Sequence, residues 1–191
     1  SGGTCAFHTR MQLVPGADAP GPMVFVRSTR LPQRTEIVSV TADGRAFVAR
    51  HPSLSNDGNL VAFLTDEPLD PLDTNGTGDV YVKNRATGEF RWASRPPEGG
   101  FLSVGPVVQP WIAGGGGHVV FTGPGLSVRP GQATFLHADV FIHDLATGVT
   151  VEGGQGRNGD SNGESRAPAI SNDGRYFAWT TFGSDLTEEP D

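Results

Sequence analysis

The chain has 191 residues, a formal net charge of −7, 36 % hydrophobic and 18 % charged residues, Gly 27, Pro 15 and a single cysteine, Cys5. This balance excludes a disordered tail, and no apolar run approaches the roughly 20 residues that a membrane-spanning helix needs. The acidic charge excludes nucleic acid as partner, since phosphate-binding surfaces cluster Lys and Arg, and one thiol excludes an intrachain disulfide or a cysteine-rich zinc site. Abundant Gly and Pro predict many short strands joined by tight turns. No charged leader with an apolar core opens the chain, so an export signal is expected to have been removed or never present.

In chain order, Thr4-Cys5-Ala6-Phe7-His8-Thr9 reads as a strand, Leu13 to Pro22 as a loop, and Met23–Val26 and Thr35–Val40 as two more strands rich in β-branched and aromatic residues. A second unit runs from Phe47 through strands at Pro52 and Leu60–Leu64, an Asp/Asn-rich loop from Leu69 to Gly78, a strand Asp79–Asn84, an Ala86-Thr87-Gly88 turn and a strand Glu89–Ser94. A third unit repeats this plan with Gln109–Ala113, His118–Thr122, Asp139–Asp144, Ala146-Thr147-Gly148 and Val149–Val151. A Gly/Asn-rich connection, Gly153 to Glu164, leads to strands Ala167–Ser171 and Tyr176–Thr181.

The units are copies of one another. Pro52-Ser53-Leu54-Ser55-Asn56-Asp57-Gly58 returns as Pro168-Ala169-Ile170-Ser171-Asn172-Asp173-Gly174, an offset of 168 − 52 = 116 residues, and half of that lands on Pro110-Trp111-Ile112-Ala113-Gly114-Gly115-Gly116. In the Ser-Asn-Asp-Gly copies the Asx side chain is expected to accept backbone N–H bonds while Gly takes a positive φ. Four antiparallel strands per unit at this period predict an all-β fold, a segment of a β-propeller holding about three four-stranded blades of a larger ring of about six to eight. Blade units are expected at 1–46 (partial), 47–100, 101–160 and 161–191 (partial).

Pro168-Ala169-Ile170-Ser171-Asn172-Asp173-Gly174-Arg175-Tyr176-Phe177-Ala178-Trp179, Leu13-Val14-Pro15-Gly16, Asp73-Thr74-Asn75-Gly76 before Asp79-Val80-Tyr81-Val82, and Asp144-Leu145-Ala146-Thr147-Gly148 together resemble the WD40-like PD40 repeats of TolB-type β-propellers. The resemblance implies a bacterial, periplasmic or secreted propeller that acts as a binding platform or scaffold, and it carries over no catalytic residue. It departs in the third unit, where glycines replace Ser-Asn-Asp and the Asp-Thr-Asn-Gly loop is absent, and in the first, where Ala17-Asp18-Ala19-Pro20-Gly21 stands in that loop's place.

Several constellations bear on function. Asp73, Asn75, Thr77 and Gly78 follow the start of an EF-hand-like pattern, with Asn84 where a bidentate Glu would stand; Asp73, Asn75, Thr77 and Asp79 are therefore the Ca²⁺ candidates, against the reading of a loop that satisfies its own backbone. Gly159-Asp160-Ser161-Asn162-Gly163 matches a hydrolase elbow but lacks the strand-turn-helix context. Glu67, Asp70, Asp73 and Asp79 offer a glycosidase pair, and His8, His51, His118, His137 and His143 show no metal-ligand spacing. Phe63, Tyr81, Trp92, Phe121, Phe141, Trp111 and Trp179 are expected to fill the space between blades, with Trp92, on an outermost strand, also a candidate for a contact surface. The function read from these residues is a non-catalytic propeller binding another protein or a cell-surface polymer, with association of open propeller edges; the alternative is the propeller part of a larger glycosidase or peptidase.

Overall fold

The computed structural model describes residues 3–95, 108–124, 138–156, 159–160, 163–184 and 186. Strands β1 (Thr4–Thr9), β2 (Met23–Ser28) and β3 (Thr35–Ile37) form one sheet, and β4 (Arg50–Leu54), β5 (Leu60–Thr65), β6 (Asp79–Asn84) and β7 (Phe90–Trp92) a second. The third sheet contains β8 (Val108–Ile112), β9 (His118–Pro124), β10 (Ala138–Asp144) and β11 (Thr150–Glu152). A small ladder of β12 (Gln155–Gly156) and β13 (Gly159–Asp160) precedes the hairpin of β14 (Ser165–Ile170) and β15 (Phe177–Thr181). Within each sheet, strands consecutive in sequence pair antiparallel. The strand expected over Thr35–Val40 ends at Ile37, with a single bridge between Val40 and Ala46 beyond it. The stretch from Gly153 to Glu164, expected as a plain connection, contains the β12–β13 ladder.

Period-two alternation decides which way each side chain faces. Along β5, Val61 and Phe63 join a core with Val24 and Val26 of the first sheet and Val38 just beyond it, whereas Ala62 and Leu64 join a core with Ile112, Val119 and Phe121 of the third. On β2 the same alternation sends Val24 and Val26 towards the second sheet and Met23 and Phe25 the other way. Phe63, Tyr81, Phe121 and Phe141 are fully buried, as their repeat positions predict. Burying each such side chain contributes roughly 1.5–3 kcal/mol, so the sheets are held to one another by the faces they share.

The Ser-Asn-Asp-Gly turns close as expected. Ser55 Oγ donates to Asp57 Oδ1 at 2.5 Å, and Asp57 Oδ1 accepts the Asn59 N–H at 3.0 Å. Ser171 and Asp173 repeat this arrangement with the Arg175 N–H. Gly58, Gly116 and Gly174 sit at φ 77°, 76° and 74°, so the middle copy keeps the turn although it lost the Asx residue. Its glycines have a physical cause. A Cβ on Gly114 would fall 2.5 Å from Asn172 Oδ1 and closer still to Asn56 Nδ2. The same three turns bond through the backbone, Asn56 N–H to the Gly114 carbonyl at 2.9 Å and Gly115 N–H to the Asn172 carbonyl at 2.7 Å. Three Asn residues would not fit where three blades converge.

Candidate functional site: a groove along the inner strands

The inner strands β4, β8 and β14 lie side by side. Each is broken by a register shift at the same place, between Arg50 and Ser53, Val108 and Trp111, and Arg166 and Ala169. In each bulge the residue before proline has left-handed φ: His51 at 52°, Gln109 at 44° and Ala167 at 51°. Their spacing is 109 − 51 = 58 and 167 − 109 = 58 residues. Such a conformation costs a non-glycine residue roughly 1–2 kcal/mol and a following proline disfavours helical φ/ψ further, so its recurrence in three blades shows that the inner-strand architecture imposes it. The bulge re-aims the side chain that precedes the proline.

One of these residues, His51, meets His8 of β1 at one end of the groove. The His51 N–H donates to His8 Nδ1 at 3.2 Å, and the two imidazoles stand edge to face with centroids 5.5 Å apart. Accepting on Nδ1 places the proton of neutral His8 on Nε2. Burial, followed by repulsion from His8 when protonated and from Arg50, holds His51 below the usual histidine range. A cavity of 390 Å³ lies against His8, His51, Gln109 and Trp111. A second of 320 Å³ shares Pro52, Pro110 and Trp111 with it and runs to Asn56, Gly114 and Asn172. No Asp, Glu, Lys or Arg lines either cavity among the described residues.

Trp111 is 54 % exposed in this groove, which corrects the expectation that it fills space between blades. Its strand neighbour Ile112 is 5 % exposed and packs in the core, so alternation turns Trp111 to the opposite side. Trp179 is half-buried and stacks on Phe177 at 5.0 Å.

Trp92 reverses the other expectation. It is 6 % exposed, packed among Val24, Val26 and Tyr81 between the first two sheets, and therefore offers no contact surface. Its Nε1 donates to Asp79 Oδ1 at 2.7 Å and to Ser94 Oγ at 3.1 Å, a bonded pair of buried acceptors that its place at a sheet edge does not reveal. The structure thus joins it to the calcium candidates. Asp79 Oδ1 also accepts from Ser94 Oγ at 2.5 Å, and Oδ2 from Asn75 Nδ2 at 2.7 Å. Asn75 Oδ1 accepts the Thr77 N–H at 2.8 Å, and Asp73 Oδ2 accepts the Tyr81 hydroxyl at 2.5 Å. Burial raises the Asp73 carboxyl above the usual range, the Tyr81 bond opposes this, and the Asp79 charge adds to it. The four candidates are brought close, but side-chain oxygens of Asp73, Asn75 and Asp79 accept internal donors.

The remaining candidates stay apart. Glu67 pairs with Arg45 at 2.6 Å, and Asp70 Oδ1 accepts the Leu72 N–H at 2.9 Å. His118 lies 3.7 Å from the Asp144 carboxylate, and His143 is buried with Nδ1 2.9 Å from Thr150 Oγ1. Among the described residues no three His, Cys, Asp or Glu side chains are placed to share a metal ion. Ser161 and His137 lie outside the described residues. Sequence reasoning missed Gln109 and the bulge, although an X-Pro pair recurring at 58 residues was the signal available.

No family model matches the sequence, and no curated protein does. Solved structures do. TolB from Acinetobacter baumannii aligns with TM-score 0.54 and 14 % identity over 100 % of this chain and 42 % of its own. A putative TolB from Agrobacterium tumefaciens aligns with TM-score 0.58 and 13 % identity over 99 % of this chain and 54 % of its own. The fold is part of a β-propeller. The tricorn protease, with TM-score 0.54 and 12 % identity, covers 90 % of this chain and 14 % of its own. The propeller segment thus spans about half the length of the TolB chains it resembles.

Proposed function

We propose that this propeller segment belongs to a non-catalytic binding or scaffold module in an extracytoplasmic bacterial assembly, holding another protein or a cell-surface polymer in the groove along its inner strands. The observation that carries this reading is the triple bulge, which spends backbone strain and sets His51 and Gln109 against the groove while the loop carboxylates serve internal hydrogen bonds. Among the described residues the cleft is lined by two imidazoles, an amide and an exposed indole, groups suited to recognising a ligand through hydrogen bonds and an apolar face.

The test uses the full gene product carrying a benzophenone amino acid in place of Trp111, irradiated in the cell envelope of its source. A discrete adduct is expected there and absent from a control at Leu31, which is 89 % exposed away from the groove. Equal adducts from both positions, or none, would refute the reading. The alternative, a propeller serving a larger glycosidase or peptidase, makes the same groove a passage, and turnover of chromogenic glycosides or peptides by the full gene product would decide for it.

A further inference from the structure

The repeats serve as an internal comparison of what architecture needs and what it leaves free. Pro52, Pro110 and Pro168 and the left-handed backbone before them recur in every described inner strand. The positions on either side of the proline do not: they read His51 and Ser53, then Gln109 and Trp111, then Ala167 and Ala169. The backbone device is structural, whereas its side chains differ from blade to blade and leave one flank of the groove without bulk. Trp111 stands where the two cavities adjoin and has no core to serve, since Ile112 fills that role. We infer that the groove binds an uncharged oligosaccharide, with the Trp111 face against the sugar ring and Gln109, His8 and His51 addressing its hydroxyls; this rests on the binding-module reading above.

Three observations select that class. In a chain of net charge −7, the described lining carries no carboxylate, guanidinium or ammonium, so a uronate polymer, a phosphate or a charged peptide would lose hydration without gaining a counter-charge. An exposed indole presents a broad apolar face with a polar edge, and amide and imidazole groups beside it both donate and accept, which is what a ring of C–H and O–H groups requires. Finally, an extended peptide added as a strand needs an unbroken row of backbone donors and acceptors. Each inner strand lacks a donor at its proline and shifts register there, so strand addition is blocked in all three blades. The position of Trp111 midway along the groove favours a chain of sugars over a single one.

Calorimetric titration of the intact protein with cellohexaose, chitohexaose and maltohexaose, beside an oligogalacturonate and a proline-rich decapeptide, tests this. At least one neutral hexasaccharide is expected to bind, with Trp111→Ala weakening it about tenfold, Trp111→Tyr within about threefold, and Gln109→Ala weakening it about fivefold. Because the ring is exposed, Trp111→Ala should leave the melting temperature unchanged, so the loss reports on the groove. Binding of none of the three at millimolar concentration, equal binding by Trp111→Ala, or tighter binding of the oligogalacturonate or the peptide would overturn the inference. An adduct from position 111 together with such a result overturns only the saccharide; absence of the adduct overturns the binding module as well.

Discussion

Replacing His143 with Gln should reduce this protein's loss of stability between neutral and mildly acidic pH. His143 is 4 % exposed on β10, with Nδ1 2.9 Å from Thr150 Oγ1, which in turn donates to the Arg95 carbonyl at 3.4 Å. Burial lowers its pKa to about 4; Asp144 opposes this, and Arg91 and His118 add to it. The unfolded chain takes up this proton near pH 6.5, so between those values the unfolded state binds more protons and stability falls as pH falls. The contribution is intact above about pH 6.5 and spent below about pH 4. A shift from 6.5 to about 4 corresponds to roughly 3 kcal/mol, of which roughly 2.5 kcal/mol is lost between about pH 7.5 and pH 4.5. Urea unfolding of both proteins at the two pH values measures it. Gln can still bond Thr150 but cannot titrate, so the stability difference between variant and native protein should change by about that amount in the variant's favour on acidification. An identical pH slope in the two proteins would refute the reasoning.

Gly114→Ala should destabilise the protein by roughly 1–3 kcal/mol in urea unfolding, because its Cβ meets Asn56 and Asn172, and combining it with Asn56→Gly should restore part of the loss. Lys83 donates to the Val38 and Val40 carbonyls at 2.8 and 2.7 Å and lies 4.9 Å from the Phe90 ring centre; Lys83→Met should cost about 1–3 kcal/mol by taking a donor from each carbonyl, of which Val38 keeps the Val40 N–H, measured the same way. Asp79→Ala, which takes the acceptor from the Ser94 hydroxyl and the Asn75 amide and leaves the Trp92 indole only its longer bond to Ser94, should cost about 2–3 kcal/mol. Millimolar calcium should leave the melting temperature of the native protein unchanged, since the Asp73 and Asp79 carboxylates already accept Tyr81, Trp92, Ser94 and Asn75, and a rise would show that the loop opens to bind the ion.

The features legible in the sequence are those written locally. The Ser-Asn-Asp-Gly turns, the Asn84 and Asp144 turns before Ala-Thr-Gly, and the two-residue alternation along β5 each depend on residues within a few positions of one another. What was misread depends on the neighbouring blade. Trp92 lies on a short outer strand, and only the packing of the first sheet against the second, with Asp79 13 residues back, buries it. Gly114 looked like a worn copy because its reason lies in Asn56 and Asn172, one full repeat away on either side. The groove followed the same rule: the phase of β8 sets Ile112 inward and Trp111 outward, but that phase is fixed by a bulge that composition does not announce.

Because β5 gives Val61 and Phe63 to one neighbour and Ala62 and Leu64 to the other, a blade of this protein is less a unit than a party wall. Severing the chain between two such walls would leave both fragments with a wet, greasy face and no replacement for it. Lengthening or shortening the array by recombination therefore succeeds only where the exchanged piece is a whole repeat cut at equivalent points, so that every wall regains a tenant on each side.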